Sequence, residues 1–186
     1  PPLLFLALAF LVYGNTLRGG FVHDDKPLVA GNRLIRDAEG VSKIFTSGYW
    51  TTRGESVPEL YRPLTVLTFA LDHAIGGARP AGYHLSNVVL HGLVCWLVFS
   101  LALSLGAGPA AAWGAGLLFA VHPVHTEAVA PVVGRSELLA AAFSLAALLL
   151  HIHGRRREEA AGGSFGAAGL CYLAAVLSKE SAFTLP

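Results

Sequence analysis

LSNVVLHGLVCWLVFSLALSL, residues 85–105, runs for 21 residues without an Asp, Glu, Lys or Arg. That is close to the ~20 apolar residues an α-helix needs to cross a bilayer core. Four further apolar runs flank it: LLFLALAFLVY (3–13), AAAWGAGLLFAVHP (110–123), LLAAAFSLAALLLHIH (138–153) and FGAAGLCYLAAVLS (165–178). The expected spans are about 3–17, 85–105, 109–122, 137–153 and 164–180, with an external loop over 18–84. Across all 186 residues, 54% are hydrophobic and 13% charged, and the mean hydropathy is +0.57. A typical soluble domain carries about 25% charged residues. One soluble core of this size does not hide so much apolar surface, so the chain reads as an all-α, polytopic, integral membrane protein.

Net charge is +1, with no clustered basic face, which argues against nucleic acid as a partner. Cys95 and Cys171 both sit in apolar stretches and read as packed thiols rather than a disulfide. The chain opens Pro1-Pro2, contains no methionine and ends on Pro186, and is expected to be a piece of a longer protein.

Charge places the loops. GRRREEAAG (154–162) holds Arg155, Arg156 and Arg157, whereas residues 122–137 hold only Arg135. The positive-inside bias sets 154–162 in the cytoplasm. Counting spans outward, the 18–84 loop, HPVHTEAV (122–129) and SKES (178–181) then share the opposite surface. Within that loop, YRPLTVLTFALDHAIGG (61–77) reads as an amphipathic helix with Pro63 near its start. Leu64, Leu67, Leu71 and Ala74 or Ile75 form its apolar stripe, opposite Thr65, Thr68 and Asp72. Such a helix suits the membrane interface.

The polar residues on the external side are the candidate site. Asp24 and Asp25, in FVHDDKPLV (21–29), are adjacent carboxylates at the exit of the first span. That pairing suits a general base, a metal ligand or a solvated turn. His84, Asn87 and His91 occupy one narrow arc of the second span, as ligand contacts or as interhelical glue. His122, His125 and Glu127 lie within six residues. They are compatible with zinc, but the His-Glu-x-x-His pattern is absent and Pro123 interrupts a regular helix, so substrate contacts or a loop lock are favoured. Arg62, Arg135 and Lys179-Glu180 are either snorkelling anchors or donors to a phosphate at the bilayer surface.

Taken together, FVHDD, GYW (48–50), YRPLTVLTFALDHAIGG, YHLSNVVLH, LLFAVHPVHTEAVAPVVGRSELLAA and LSKES resemble the TMTC family collinearly over nearly the whole chain. Its members are transmembrane, tetratricopeptide-repeat-containing O-mannosyltransferases and their bacterial relatives. GES (54–56) before YRPL, and SKES near the end, look nearer the bacterial branch; animal members would carry SHKSYRPL and CKEQ. The resemblance implies a GT-C-like helical bundle with a large first external loop, and a lumenal or periplasmic site in the endoplasmic reticulum or the bacterial inner membrane. It implies sugar transfer from a lipid-phosphate donor, dolichyl-phosphate mannose in animals, to an acceptor protein's Ser or Thr. Further spans and then tetratricopeptide repeats are expected beyond Pro186.

On that footing Asp24 or Asp25 is the expected base. Arg62, Arg135 and Lys179 would neutralise the leaving phosphate, with His84, His122 and His125 donating hydrogen bonds and Glu127 and Glu180 orienting the cations. No cofactor is needed beyond the lipid-linked donor, a divalent metal being the less favoured alternative. The rival readings are a metal-dependent membrane hydrolase and a non-catalytic transporter or scaffold.

Overall fold

A computed structural model describes residues 1–50, 60–156 and 161–185. GES at 54–56 and Arg157 of the arginine triplet lie outside the described residues. The helices are α1 (Pro2–Tyr13), α2 (Ala38–Lys43), α3 (Pro63–Gly76), α4 (Pro80–Ser104), α5 (Pro109–Val121), α6 (Thr126–Val129), α7 (Arg135–Arg156) and α8 (Ala161–Ser178). Among the described residues there is no strand. The fold is all-α.

Proline and glycine punctuate it. Pro63, Pro80 and Pro109 open α3, α4 and α5, where a missing N–H costs nothing. Gly77 (φ 65°) closes α3 and Gly106 (φ 91°) follows α4, both in a conformation that L side chains resist.

Two segments, Pro80–Ser104 and Val132–Arg156, are long and apolar enough to cross a membrane by length and composition. At 25 residues each they reach about 37 Å. Pro2–Arg18, Pro109–Val121 and Gly162–Ser178 are apolar but shorter, so only two of the five expected spans meet that test. α5 shows the reason: Pro109 opens it and the His122-Pro123 turn ends it after 13 residues, about 20 Å.

Contacts fix the direction of each helix. Arg135 at the start of α7 bonds Tyr83 and Asn87 at the start of α4, while Arg156 at the end of α7 bonds the Ser104 carbonyl at the end of α4. These two therefore run parallel. α1 and α5 run against them, because Phe5 packs on Phe99 and Trp113 while Tyr13 and Phe119 stack on His91. α8 runs against α7, with Phe165 beside His151 and Lys179 paired to Glu137. Close crossings rest on missing side chains. A Cβ on Gly92 would meet the Leu6 backbone, and one on Gly116 would enter the Phe5 ring.

All five long helices thus bring their polar tips to one end. There the first loop folds onto the bundle around a core of its own, in which Leu28, Val29, Ile35, Ile44 and Tyr49 pack on Val66 and Phe69 of α3, Tyr83 and Val132.

α3 faces the reverse of a soluble amphipathic helix. Thr65, Val66, Phe69 and Ala70 are buried, whereas Leu71 is 60% and Ile75 79% exposed. Thr65 donates to the Ser178 carbonyl (2.9 Å), Thr68 approaches Arg135, and Asp72 accepts from Ser86 (2.8 Å). The face bearing Thr65 and Thr68 therefore meets protein, Leu67 packs against the loop core, and only the Leu71–Ile75 end of the apolar stripe looks outward.

Candidate active site

Two sets of charges occupy the polar end. The first is closed. Arg135 is 1% exposed and every donor group of its guanidinium is engaged. Nε donates to Asn87 Oδ1 (2.9 Å), an Nη to the Tyr83 carbonyl (2.8 Å), and the other pairs with Asp72 (2.6 Å) and approaches Thr68. Its plane lies 4.9 Å from the Phe69 centroid. Asn87 donates in turn to the Pro131 carbonyl (2.9 Å). α3, α4 and α7 are locked together through this one cation.

The second set opens on a cavity of about 500 Å³ that enters the bundle between α4, α5 and α7. Asp24, Tyr49, Trp50 and Arg62 line it from the first loop, and His125, Glu127, Glu137 and Lys179 from the helix tips. His91, Val94, Phe119 and Ala141 line it within the bundle.

The adjacent aspartates divide between the two sets. Asp25 is fully buried, and its carboxylate accepts from the backbone N–H of Val22 (3.2 Å) and of Val133 (2.9 Å). It pins the first loop to the turn before α7. Asp24 is half-buried and lines the cavity. Just before it, His23 adopts φ 42°, the left-handed region a histidine seldom enters, so backbone strain sits beside the carboxylate the cavity presents.

Arg62 forks onto Glu180, with Nε–Oε2 2.9 Å and Nη–Oε1 2.5 Å. The same guanidinium stands 4.9 Å from the Tyr49 ring centroid. Arg62's hydrogen bonds hold the Glu180 carboxyl below its usual range. Lys179 pairs with Glu137, and burial, with Arg62 nearby, lowers the Lys179 ammonium. Both carboxylate partners are about half exposed, at 48% and 49%.

His125 stacks on Phe119 (4.0 Å between centroids). Burial, then the neighbouring His122, lowers its imidazole below 6.5, so it is neutral at pH 7. His91 Nε2 lies 3.2 Å from the Ala120 carbonyl, which only accepts, so that nitrogen carries the proton. Its Nδ1 is left an acceptor, buried and without a partner among the described residues.

The cavity therefore gathers Asp24, Arg62, His91, His125, Glu127 and Lys179 of the sequence-derived candidates. Asp25, His84, His122, Arg135 and Glu180 do not line it. His84 is 3% exposed, with neither ring nitrogen hydrogen-bonded among the described residues. His122 is exposed, and its Nδ1 accepts from Val124 N–H (3.2 Å). Tyr49 and Glu137 were passed over in the sequence. Glu137's signal is its place two residues after Arg135 in the first turn of α7; Tyr49 carries none beyond membership of GYW. Among the described residues, no three His, Cys, Asp or Glu converge on a metal-holding position.

No protein-family model matches the chain, and no solved structure does. Its sequence is similar to three proteins named protein O-mannosyl-transferase. One is Tmtc1 of Drosophila melanogaster, 41% identical over 96% of this chain and 21% of the relative. The others are TMTC2 of Mus musculus, 42% identical, and TMTC2 of Homo sapiens, 39% identical, each over 96% of this chain and 22% of the relative. The chain spans about a fifth of the length of these relatives. Across the region they share with it, 96% of its length at 39–42% identity, the chain belongs to the TMTC family.

Proposed function

We propose that this chain is part of a multi-pass GT-C-type membrane glycosyltransferase. In the full-length protein it moves a sugar, mannose by analogy with its relatives' names, from a polyprenyl-phosphate donor to a protein Ser or Thr. The observation that carries this reading is a single cavity lined by a carboxylate, Asp24, and by two cations, Arg62 and Lys179, at the end of the bundle remote from Arg156. The exposed Leu71 and Ile75 of α3 support a helix lying in the membrane interface beside the donor's entry.

In this mechanism Asp24 takes the proton from the acceptor hydroxyl as its oxygen attacks the anomeric carbon. The bond from that carbon to the phosphate oxygen breaks on the opposite face, inverting the centre. Base assistance of this kind is worth about 10²–10⁴ in rate. The departing phosphate is stabilised by Arg62 and Lys179 in a cavity sheltered from bulk water. Neutral His125 and the His91 Nδ1 acceptor orient sugar hydroxyls, and Glu127 stands at the rim. Asp25 and Arg135 act through position, Asp25 by holding the turn that presents Asp24 and Arg135 by fixing the helices that form the walls. No step is routed through a metal.

The test is transfer of radiolabelled mannose from its lipid phosphate to acceptor protein by the full-length enzyme in vesicles. Label is expected on Ser or Thr, and Asp24→Asn is expected to remove it with folding intact. Undiminished transfer by Asp24→Asn would end the base assignment, and absence of transfer by the wild type to any acceptor would end the enzyme reading.

A further inference from the structure

Tyr49 is 4% exposed and lines the cavity, yet its hydroxyl is buried with no hydrogen-bond partner among the described residues. An unmade hydrogen bond on a buried hydroxyl is costly, so such groups recur where a ligand completes them. Nothing about the residue is loose. Its backbone N–H donates to the Leu60 carbonyl (2.7 Å), its ring meets Trp50 edge-on at 5.6 Å, and the Arg62 guanidinium covers its face at 4.9 Å. Among the described residues the hydroxyl has no hydrogen-bond partner, and it belongs to a side chain that lines the cavity beside Arg62.

Chemistry selects what it binds. Burial pushes the phenol up to about 12 against the pull of Arg62, so the group keeps its proton at any physiological pH. It is a standing donor beside two standing cations. The carboxylates now paired to those cations, Glu180 and Glu137, are each about half exposed and free to turn outward. A hydroxyl donor, a guanidinium fork and an ammonium lining one cavity match the non-bridging oxygens of a phosphate better than a sugar hydroxyl, which needs acceptors as well.

We propose that the Tyr49 hydroxyl donates to the phosphate of the lipid-linked donor, forming with Arg62 and Lys179 a three-point anion subsite that Glu180 and Glu137 occupy when the donor is absent. The proposal rests on the glycosyltransferase reading of the cavity and adds a specificity-determining residue to it.

The experiment measures binding rather than turnover. Full-length protein in phosphatidylcholine vesicles is titrated with polyprenyl phosphate, with uncharged polyprenol and with inorganic phosphate, and each variant's thermal midpoint is recorded. Tyr49→Phe is expected to weaken polyprenyl phosphate binding roughly tenfold, as for a hydrogen bond to a charged group, and to leave polyprenol binding unchanged. Its midpoint without ligand should stay level or rise, because the variant removes an unsatisfied polar atom; a purely structural tyrosine would show a fall. Unchanged phosphate binding in Tyr49→Phe, while Arg62→Ala weakens it, would overturn the Tyr49 assignment and leave the transferase reading intact. A lowered midpoint with unchanged affinity, or inorganic phosphate binding as tightly as the lipid, would also overturn it. Failure of the wild type to bind polyprenyl phosphate would overturn both.

Discussion

Arg135 and Arg62 stand at the same end of the same bundle, and their surroundings differ in kind. Arg135 is sealed among Asn87, Asp72, Thr68 and the Tyr83 carbonyl, each from a helix it must hold in place. Among the described residues Arg62 has one carboxylate partner, Glu180, which is half exposed. The aspartates repeat the contrast one residue apart, Asp25 bound to two backbone amides and Asp24 lining the cavity. A charge whose bonds are all made inside the protein serves the fold. One whose partner reaches water is available to a substrate.

The hardest way to break the comparison is to remove the sealed cation. Arg135→Ala leaves Asp72 and Asn87 without their partner, and truncating one side of a buried pair costs about 3–5 kcal/mol. The full-length protein should fail to accumulate folded in detergent, read by size exclusion and thermal midpoint. Survival of Arg135→Ala with a native midpoint would show that the two arginines are not different in kind.

The neighbouring aspartates sharpen it. Asp24→Asn should lower transfer by about 10²–10⁴ with an unchanged midpoint. Asp25→Asn should lower the midpoint, because charge-assisted bonds to amides contribute about 1.5–3 kcal/mol. Interchanged phenotypes would assign the roles the other way.

Smaller effects belong to the displaceable pairs. Lys179→Ala should weaken donor binding several-fold and make the remainder less sensitive to salt, with a stability change within about 1 kcal/mol, as is usual for exposed ion pairs. The Arg62–Glu180 pair should show in pH. Glu180's carboxyl is depressed below 4.5 in the folded state. Its stabilising contribution is therefore fully present above the unfolded value and is lost as pH falls through the folded one. The midpoint difference between wild type and Glu180→Gln should be small at pH 7 and vanish under acid, measured by scanning fluorimetry.

Much of the architecture was legible because its signals are local. Apolar runs with Pro63, Pro80 and Pro109 ahead of them and Gly77 and Gly106 behind give the helices directly. Span length was less legible, since α5 looks like its neighbours until the His122-Pro123 turn ends it. The stripe on α3 could be read, but not its facing. Periodicity shows that Leu67 and Leu71 oppose Thr65 and Thr68 without saying which side meets protein, and here Ser178 and Arg135 claim the polar one.

Site roles were the least legible. Arg62 and Arg135 are the same residue type in similar contexts, and what separates them is Asp72, Asn87 and Tyr83 arriving from elsewhere in the chain. Tyr49 is one aromatic residue in a polar loop. Its meaning comes from an absent bond, which no spacing encodes.

Every one of these roles requires the five helix tips to open on the same side, opposite the arginines that end α7. Side-specific labelling tests this directly. In full-length protein with Cys95 and Cys171 replaced by Ala, Glu127→Cys and Arg155→Cys are probed in sealed, oriented vesicles with a membrane-impermeant thiol reagent. The account predicts that Glu127→Cys reacts only from the non-cytoplasmic side and Arg155→Cys only from the cytoplasmic side. Reaction of both from one side would contradict it.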